Sequence, residues 1–260
     1  MQDLLNAPVN SVAESPVDIR LAFLKRVYAW MTAGLVVCGL GAAISIESGL
    51  TMEYLIKPMY SGSGFARFFG HLLMLGGLIV TMMWAFKARH TPTMNTIAFA
   101  TFAAFLGFMI SDIILVALIV SGANAETANA LRAGAMPNLD GTLVYQALGA
   151  TVAMFAGLTF VAFTSKKDFS FMRGILTAAL FGLIALAIIN IFVQSSALAM
   201  GITLLGIVIF SGYILFDTQK IMRTYPANEH VAGAITLFYD FVMLFVFILQ
   251  LLIQLTANRD

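Results

Sequence analysis

The chain of 260 residues is 60% hydrophobic and only 10% charged, with a mean hydropathy of +0.93. A soluble domain carries about 25% charged and about 45–50% apolar residues, so a soluble enzyme, a disordered chain and a disulfide scaffold are excluded. The apolar runs are continuous over roughly 18 residues or more, without the period-two alternation of an outer-membrane barrel. The composition therefore reads as an all-α polytopic membrane protein, with the lipid bilayer as its first partner. A net charge of +1 gives no electrostatic case for binding nucleic acid.

In chain order, residues 1–20 form a polar N-terminal segment with Asp3, Glu14 and Asp18. It has no apolar core of the kind a cleavable leader needs. Residues 21–260 read as one domain of seven spans at 27–46, 68–86, 95–118, 143–164, 174–193, 197–219 and 231–254. Turn residues punctuate the connectors: Ser61-Gly62-Ser63-Gly64, Thr91-Pro92 and Tyr225-Pro226-Ala227-Asn228. The connector at 119–142 is the longest, with Gly122, Asn124, Glu126, Pro137, Asp140 and Gly141. Within the spans, Ala153/Gly157 and Ala178/Gly182 have the four-residue spacing that lets helices approach closely in lipid. The fifteen Met read as packing and lipid contact. Cys38 has no second cysteine to pair with. His71, His90 and His230 fall near span ends without metal-ligand spacing, so no metal is assigned to them.

Orientation follows from the basic residues of alternate loops. The N-terminal side carries Arg20, Lys25, Arg26, Lys87, Arg89, Lys166, Lys167, Arg173, Lys220 and Arg223. The opposite side carries Lys57, Arg67, Arg132 and Arg259. This asymmetry predicts a cytoplasmic N-terminus and, with seven spans, a C-terminus on the far side.

Nearly all acidic residues lie in tails and connectors. Asp112, Asp217 and Asp240 are the exceptions. A carboxylate at membrane depth costs a few kcal/mol even on insertion scales, so each is a functional candidate. Spans six and seven form an antiparallel hairpin, and positions 217 and 240 are equidistant from its loop at Pro226–Glu229. At 1.5 Å rise per residue the two carboxylates share a depth of about 10–15 Å from the cytoplasmic end. They meet if both face the bundle interior.

Two adjacent carboxylates away from water cannot both ionise cheaply and are expected to share a proton. The protonated pair can hydrogen-bond and seal a path, whereas the ionised pair repels itself and attracts cations. Such a pair is a pH-sensitive gate whose oxygens suit Ca²⁺. Its four oxygens fall short of a full Ca²⁺ shell of about 6–8 ligands, so Asp217 and Asp240 read as a transient metal site on a permeation path, with Ca²⁺ as permeant ion and no resident cofactor. The alternative is a buried structural brace. Arg89, at the cytoplasmic end of span two, is a candidate to pair with one carboxylate and hold a closed state. Lys220, one turn from Asp217, either joins the site or snorkels to the interface. Asp112, in the outer third of span three, either lines an outer vestibule or lies at the interface where the span ends.

The stretch Phe210-Ser211-Gly212-Tyr213-Ile214-Leu215-Phe216-Asp217-Thr218-Gln219-Lys220-Ile221, followed by Ala234-Ile235-Thr236-Leu237-Phe238-Tyr239-Asp240-Phe241-Val242-Met243-Leu244-Phe245, resembles the transmembrane Bax inhibitor motif family. Length and span number are similar to its bacterial members, and the resemblance covers residues 20–255. It implies a seven-transmembrane-helix bundle with the last helix central, in a bacterial inner (plasma) membrane. It also implies a proton-sensitive Ca²⁺ leak with Asp217 and Asp240 as sensor and a basic residue closing span two, matched to Arg89 with Lys87 and His90 as close alternatives. Asp112 has no counterpart in that pattern, and the 119–142 connector is longer than in compact members of the family.

Two other function classes remain open on sequence. Paired intramembrane aspartates also occur in aspartyl proteases, but Asp217 follows Ile214-Leu215-Phe216 rather than the Gly-x-Gly that precedes the aspartate in those enzymes. The expectation is that the chain is not an enzyme. A regulatory role through membrane protein partners, in stress or membrane-protease control, is implied by the family resemblance and is compatible with a leak.

Overall fold

The computed structural model describes residues 11–56, 64–91, 93–122, 139–226 and 228–257. Among them are seven long helices: α1 (Val17–Glu47), α2 (Gly64–Ala88), α3 (Met94–Ser121), α4 (Thr142–Thr164), α5 (Met172–Val193), α6 (Ser196–Thr224) and α7 (His230–Ala257). A short 3₁₀ turn at Val12–Glu14 precedes them, and a π-helical turn at Thr51–Ile56 follows α1. Six of the seven are long and apolar enough to cross a membrane, and α2 contributes the shorter apolar stretch Leu72–Ala88. The fold is thus a polytopic all-helical bundle. Of the expected features, Lys57, Pro92, residues 123–138 (with Arg132), Ala227, Arg259 and the side chains of Arg67 and His71 lie outside the described residues.

The last helix is central. In α7, 56% of the apolar window is buried inside the protein, against 11% in α5. It packs against α1, α2, α3, α4 and α6, and its Phe238 ring meets Phe99 and Phe102 of α3 edge-on at 5.4 and 5.7 Å. The outer helices turn Phe160, Phe181 and Phe192 outward, each about two-thirds exposed. Such exposure would be costly in water, but costs nothing against lipid tails.

Helices α1 and α3 approach each other closely. A Cβ at Gly107 would come within 2.1 Å of the Cys38 carbonyl oxygen, and one at Gly41 within 2.8 Å of the Ala104 carbonyl. The small pairs expected to make such contacts do not. Ala153, Gly157, Ala178 and Gly182 are exposed, and a side chain added at either glycine would meet no neighbour within 4 Å. Four-residue spacing puts small residues on one face, but which face meets a helix is set by the rotation of the whole helix.

The N-terminal region also departs from expectation. Helix α1 starts at Val17, inside the stretch read as a polar segment, directly after Pro16. Ahead of it, Val12 is 2% exposed, and its N–H donates to Tyr225 O at 2.9 Å. Backbone pairing and one buried apolar side chain thus fasten residues 11–14 to the α6–α7 turn.

Candidate functional site

Helix α6 is preceded by Ser195, whose hydroxyl accepts from Leu198 N–H at 3.3 Å and caps the helix start. It then runs unbroken to Thr224 and carries Asp217 about 10 Å before its end. Helix α7 starts at His230 and carries Asp240 about 15 Å in. Asp217 is 7% and Asp240 3% exposed. Both line a single cavity of about 180 Å³, together with Tyr213, Thr236 and Tyr239. The hairpin register therefore delivers the two carboxylates to one place, and the rotation that sequence left open turns both inward.

The site is poor in partners. Asp240 Oδ2 is buried with no hydrogen-bond partner among the described residues. Lys220, one turn along α6, bears electrostatically on both aspartates. Its ammonium sits 5.7 Å from the Phe216 ring centre and 5.8 Å from that of Tyr225, so cation–π contact holds it near the pair. Tyr225, in the turn after α6, has its phenol pushed up first by burial and further by the charges of Asp217 and Glu229. It stays neutral at physiological pH. Among the described residues no three of His, Cys, Asp and Glu converge as a metal-holding group.

Arg89 is placed differently from the expectation that it pairs with an aspartate. Its Nε lies 3.5 Å from Glu229 Oε2, and its Nη1 donates to Phe86 O at 2.8 Å. His90 Nε2 reaches the other Glu229 oxygen, also at 3.5 Å. Glu229 draws Arg89 to the rim because a loop carboxylate can reach it without either side chain being drawn into the bundle. Asp112 is remote from the pair. It lines a separate cavity of about 490 Å³ with Gln250 and Gln254 toward the other end of α7.

Two further residues matter that the sequence reading did not single out. Gln219 is 3% exposed. Its Oε1 accepts from Phe169 N–H and its Nε2 donates to Lys167 O, both at 2.7 Å, so it clamps the α4–α5 loop to α6. Glu229 reads on sequence as an ordinary loop acid. Arg89 and His90 come to it only in the folded chain, so no sequence signal marks it.

The family described as "Inhibitor of apoptosis-promoting Bax1" matches residues 20–257. The chain belongs to the Bax inhibitor-1 family. The protein called Bax inhibitor 1 of Schizosaccharomyces pombe is 31% identical to it over 96% of this chain and 82% of the relative. The inner membrane protein YbhL of Escherichia coli (strain K12) is 25% identical over 88% and 90% of the two chains. A Golgi anti-apoptotic protein of Vaccinia virus (strain Lister) is 28% identical over 94% and 90%. The motif-bearing hairpin of α6 and α7 lies within the matched span.

Proposed function

We propose that this Bax inhibitor-1 family member is a pH-sensitive cation leak, with Ca²⁺ the favoured permeant ion and Asp217 and Asp240 its gate. The observation that carries the reading is the placement of two buried aspartates on one cavity inside a membrane-spanning bundle. A buried carboxylate with one oxygen left without a hydrogen-bond partner destabilises the fold, so a merely structural role explains Asp240 poorly. With one proton between them the carboxyls can hydrogen-bond and draw α6 to α7. Without it they repel each other and present oxygens to a passing cation. Arg89 and Glu229 would then close the basic end of the path, with Lys220 as a nearby counter-charge. The chain is read as non-enzymatic, with its N-terminus cytoplasmic and, by likeness to the relative named as an inner membrane protein, in a bacterial inner membrane.

The test is Ca²⁺ entry into proteoliposomes followed against pH. Asp217→Asn and Asp240→Asn are expected to flatten the pH profile, and unaltered pH dependence in both would remove the gate assignment. A second reading, regulation through membrane protein partners, draws support from the anti-apoptotic name of the viral relative. It predicts that the double Asn variant retains full regulatory activity in cells.

A further inference from the structure

Helices α1 and α4 both pack on α3 and α7, yet make almost no contact with each other. Between them runs a groove of about 770 Å³. Gly39 and Ala43 of α1 stand on one wall, Leu148 and Val152 of α4 on the other, and Phe241 and Phe245 of α7 belong to the floor. Leu148 and Val152, four residues apart, share one helix face and are 44% and 51% exposed. The α1 wall is open at Gly39, where an added Cβ would meet nothing within 4 Å. The lining residues of α1 run from Tyr28 to Glu47, about 28 Å of helix. That length is close to the ~30 Å hydrocarbon thickness of a bilayer, so the groove follows the membrane span from end to end.

Three occupants compete for this space. Water needs about 2–4 polar partners to settle in a cavity, and the facing walls of Gly39, Ala43, Leu148 and Val152 supply no polar side chain. The Thr32 hydroxyl, which also lines the groove, already donates to Tyr28 O at 2.8 Å. A transmembrane helix of this length and ~10 Å diameter would need about 2,000 Å³, more than twice the space. A hydrocarbon chain is thin, as long as its leaflet and matched to the lining, and it restores the dispersion contacts that an empty groove would forfeit. Glu47 is the single charged residue among the described lining residues, and it is exposed at the far end of α1. Its carboxylate attracts an ammonium and repels a headgroup that carries only negative charge. We propose that the groove holds one acyl chain of a bilayer phospholipid whose headgroup bears an ammonium, with Glu47 beside that ammonium. Neither Asp217 nor Asp240 lines the groove, so the lipid site and the gate stand or fall separately.

The test reads retained lipid rather than flux. The full chain is taken from nanodiscs of equal phosphatidylethanolamine and phosphatidylglycerol, delipidated in mild detergent and weighed by native mass spectrometry, with the bound lipid extracted and identified. About one phospholipid per chain is expected to remain, with phosphatidylethanolamine enriched about two- to fivefold, the factor an exposed ion pair supports. Gly39→Phe fills the groove and should lower retention about tenfold or more. Gly182→Phe, at an equally open position that does not line the groove, should leave retention unchanged. Glu47→Gln should erase the enrichment and keep the chain bound. Val152→Trp fills the groove from the opposite wall and decides the matter if Gly39→Phe does not fold. Loss of all lipid from the parent, retention that neither filled variant lowers, or a dimer of the parent that Gly39→Phe splits overturns the lipid site. An enrichment that survives Glu47→Gln overturns the headgroup contact.

Discussion

Arg89 Nε lies 3.5 Å from Glu229 Oε2, and this ion pair ties the end of α2 to the turn between α6 and α7. The two side chains are 32% and 22% exposed, so solvent screens much of their attraction. Glu229→Gln should therefore cost at most about 1 kcal/mol of stability. If the pair helps to close the basic end, the same substitution raises basal Ca²⁺ leak by up to about fivefold, the factor equivalent to that energy. Thermal unfolding and proteoliposome flux on one preparation measure both.

Asp240→Asn should separate function from stability. The substitution replaces a buried carboxyl, one of whose oxygens lacks a partner, with a group that carries no charge. The variant is expected to unfold no earlier than the parent and to gain about 1–3 kcal/mol if the parent carboxyl is charged. A loss of several kcal/mol would mark Asp240 as a structural brace.

Gln219→Leu removes two part-buried hydrogen bonds to the α4–α5 loop and leaves Phe169 N–H and Lys167 O to find water. The expected cost is about 1–3 kcal/mol. Hydrogen exchange at Phe169 should quicken, while α1 and α3 keep their protection.

Gly107→Ala should be among the most damaging small substitutions. The added methyl would fall 2.1 Å from a backbone oxygen of α1, which cannot rotate aside as a side chain would. Overpacking of this kind costs about 1–3 kcal/mol, occasionally more. Gly157→Ala, which meets no neighbour, should be neutral by the same unfolding assay.

Asp168 gives a pH dependence outside the membrane-spanning segments. Its carboxylate accepts from Ser170 N–H at 2.9 Å and lies 3.7 Å from Arg223 Nη1. The Ser170 hydrogen bonds hold the carboxyl below its ordinary range, with a smaller contribution from Arg223. A depressed folded value means that the stabilisation is complete above the unfolded pKa of about 3.9 and disappears as pH falls through the folded value. Asp168→Asn should therefore lower protection of the Ser170 amide at neutral pH, and converge with the parent in strong acid.

Much of the aspartate site was legible in the sequence because charge is scarce in lipid. Asp217 and Asp240 stood out against their apolar surroundings, and hairpin symmetry gave their common depth. Arg89 is legible as a rim residue, but its contact with Glu229 is not, since Glu229 lies in the loop and its reach depends on how the turn packs. Gln219 sat inside the motif that carried the family resemblance, yet its task emerged only with the α4–α5 loop folded against it. The N-terminal stretch looked merely polar because one buried residue, Val12, leaves no periodic signature.

Sequence alone determined that the chain lives in a bilayer, that it has seven helical segments, and that two aspartates lie at one depth. These follow from local quantities: hydropathy, helix rise and the position of a turn. Only the tertiary structure decided helix rotation, and with it everything that depends on facing. It turned Asp217 and Asp240 onto one cavity, set Gly41 and Gly107 rather than Gly157 and Gly182 at the close crossing, and brought Asp112 to Gln250 and Gln254. Rotation is fixed by packing against several neighbours at once, above all around α7, and no single segment encodes it.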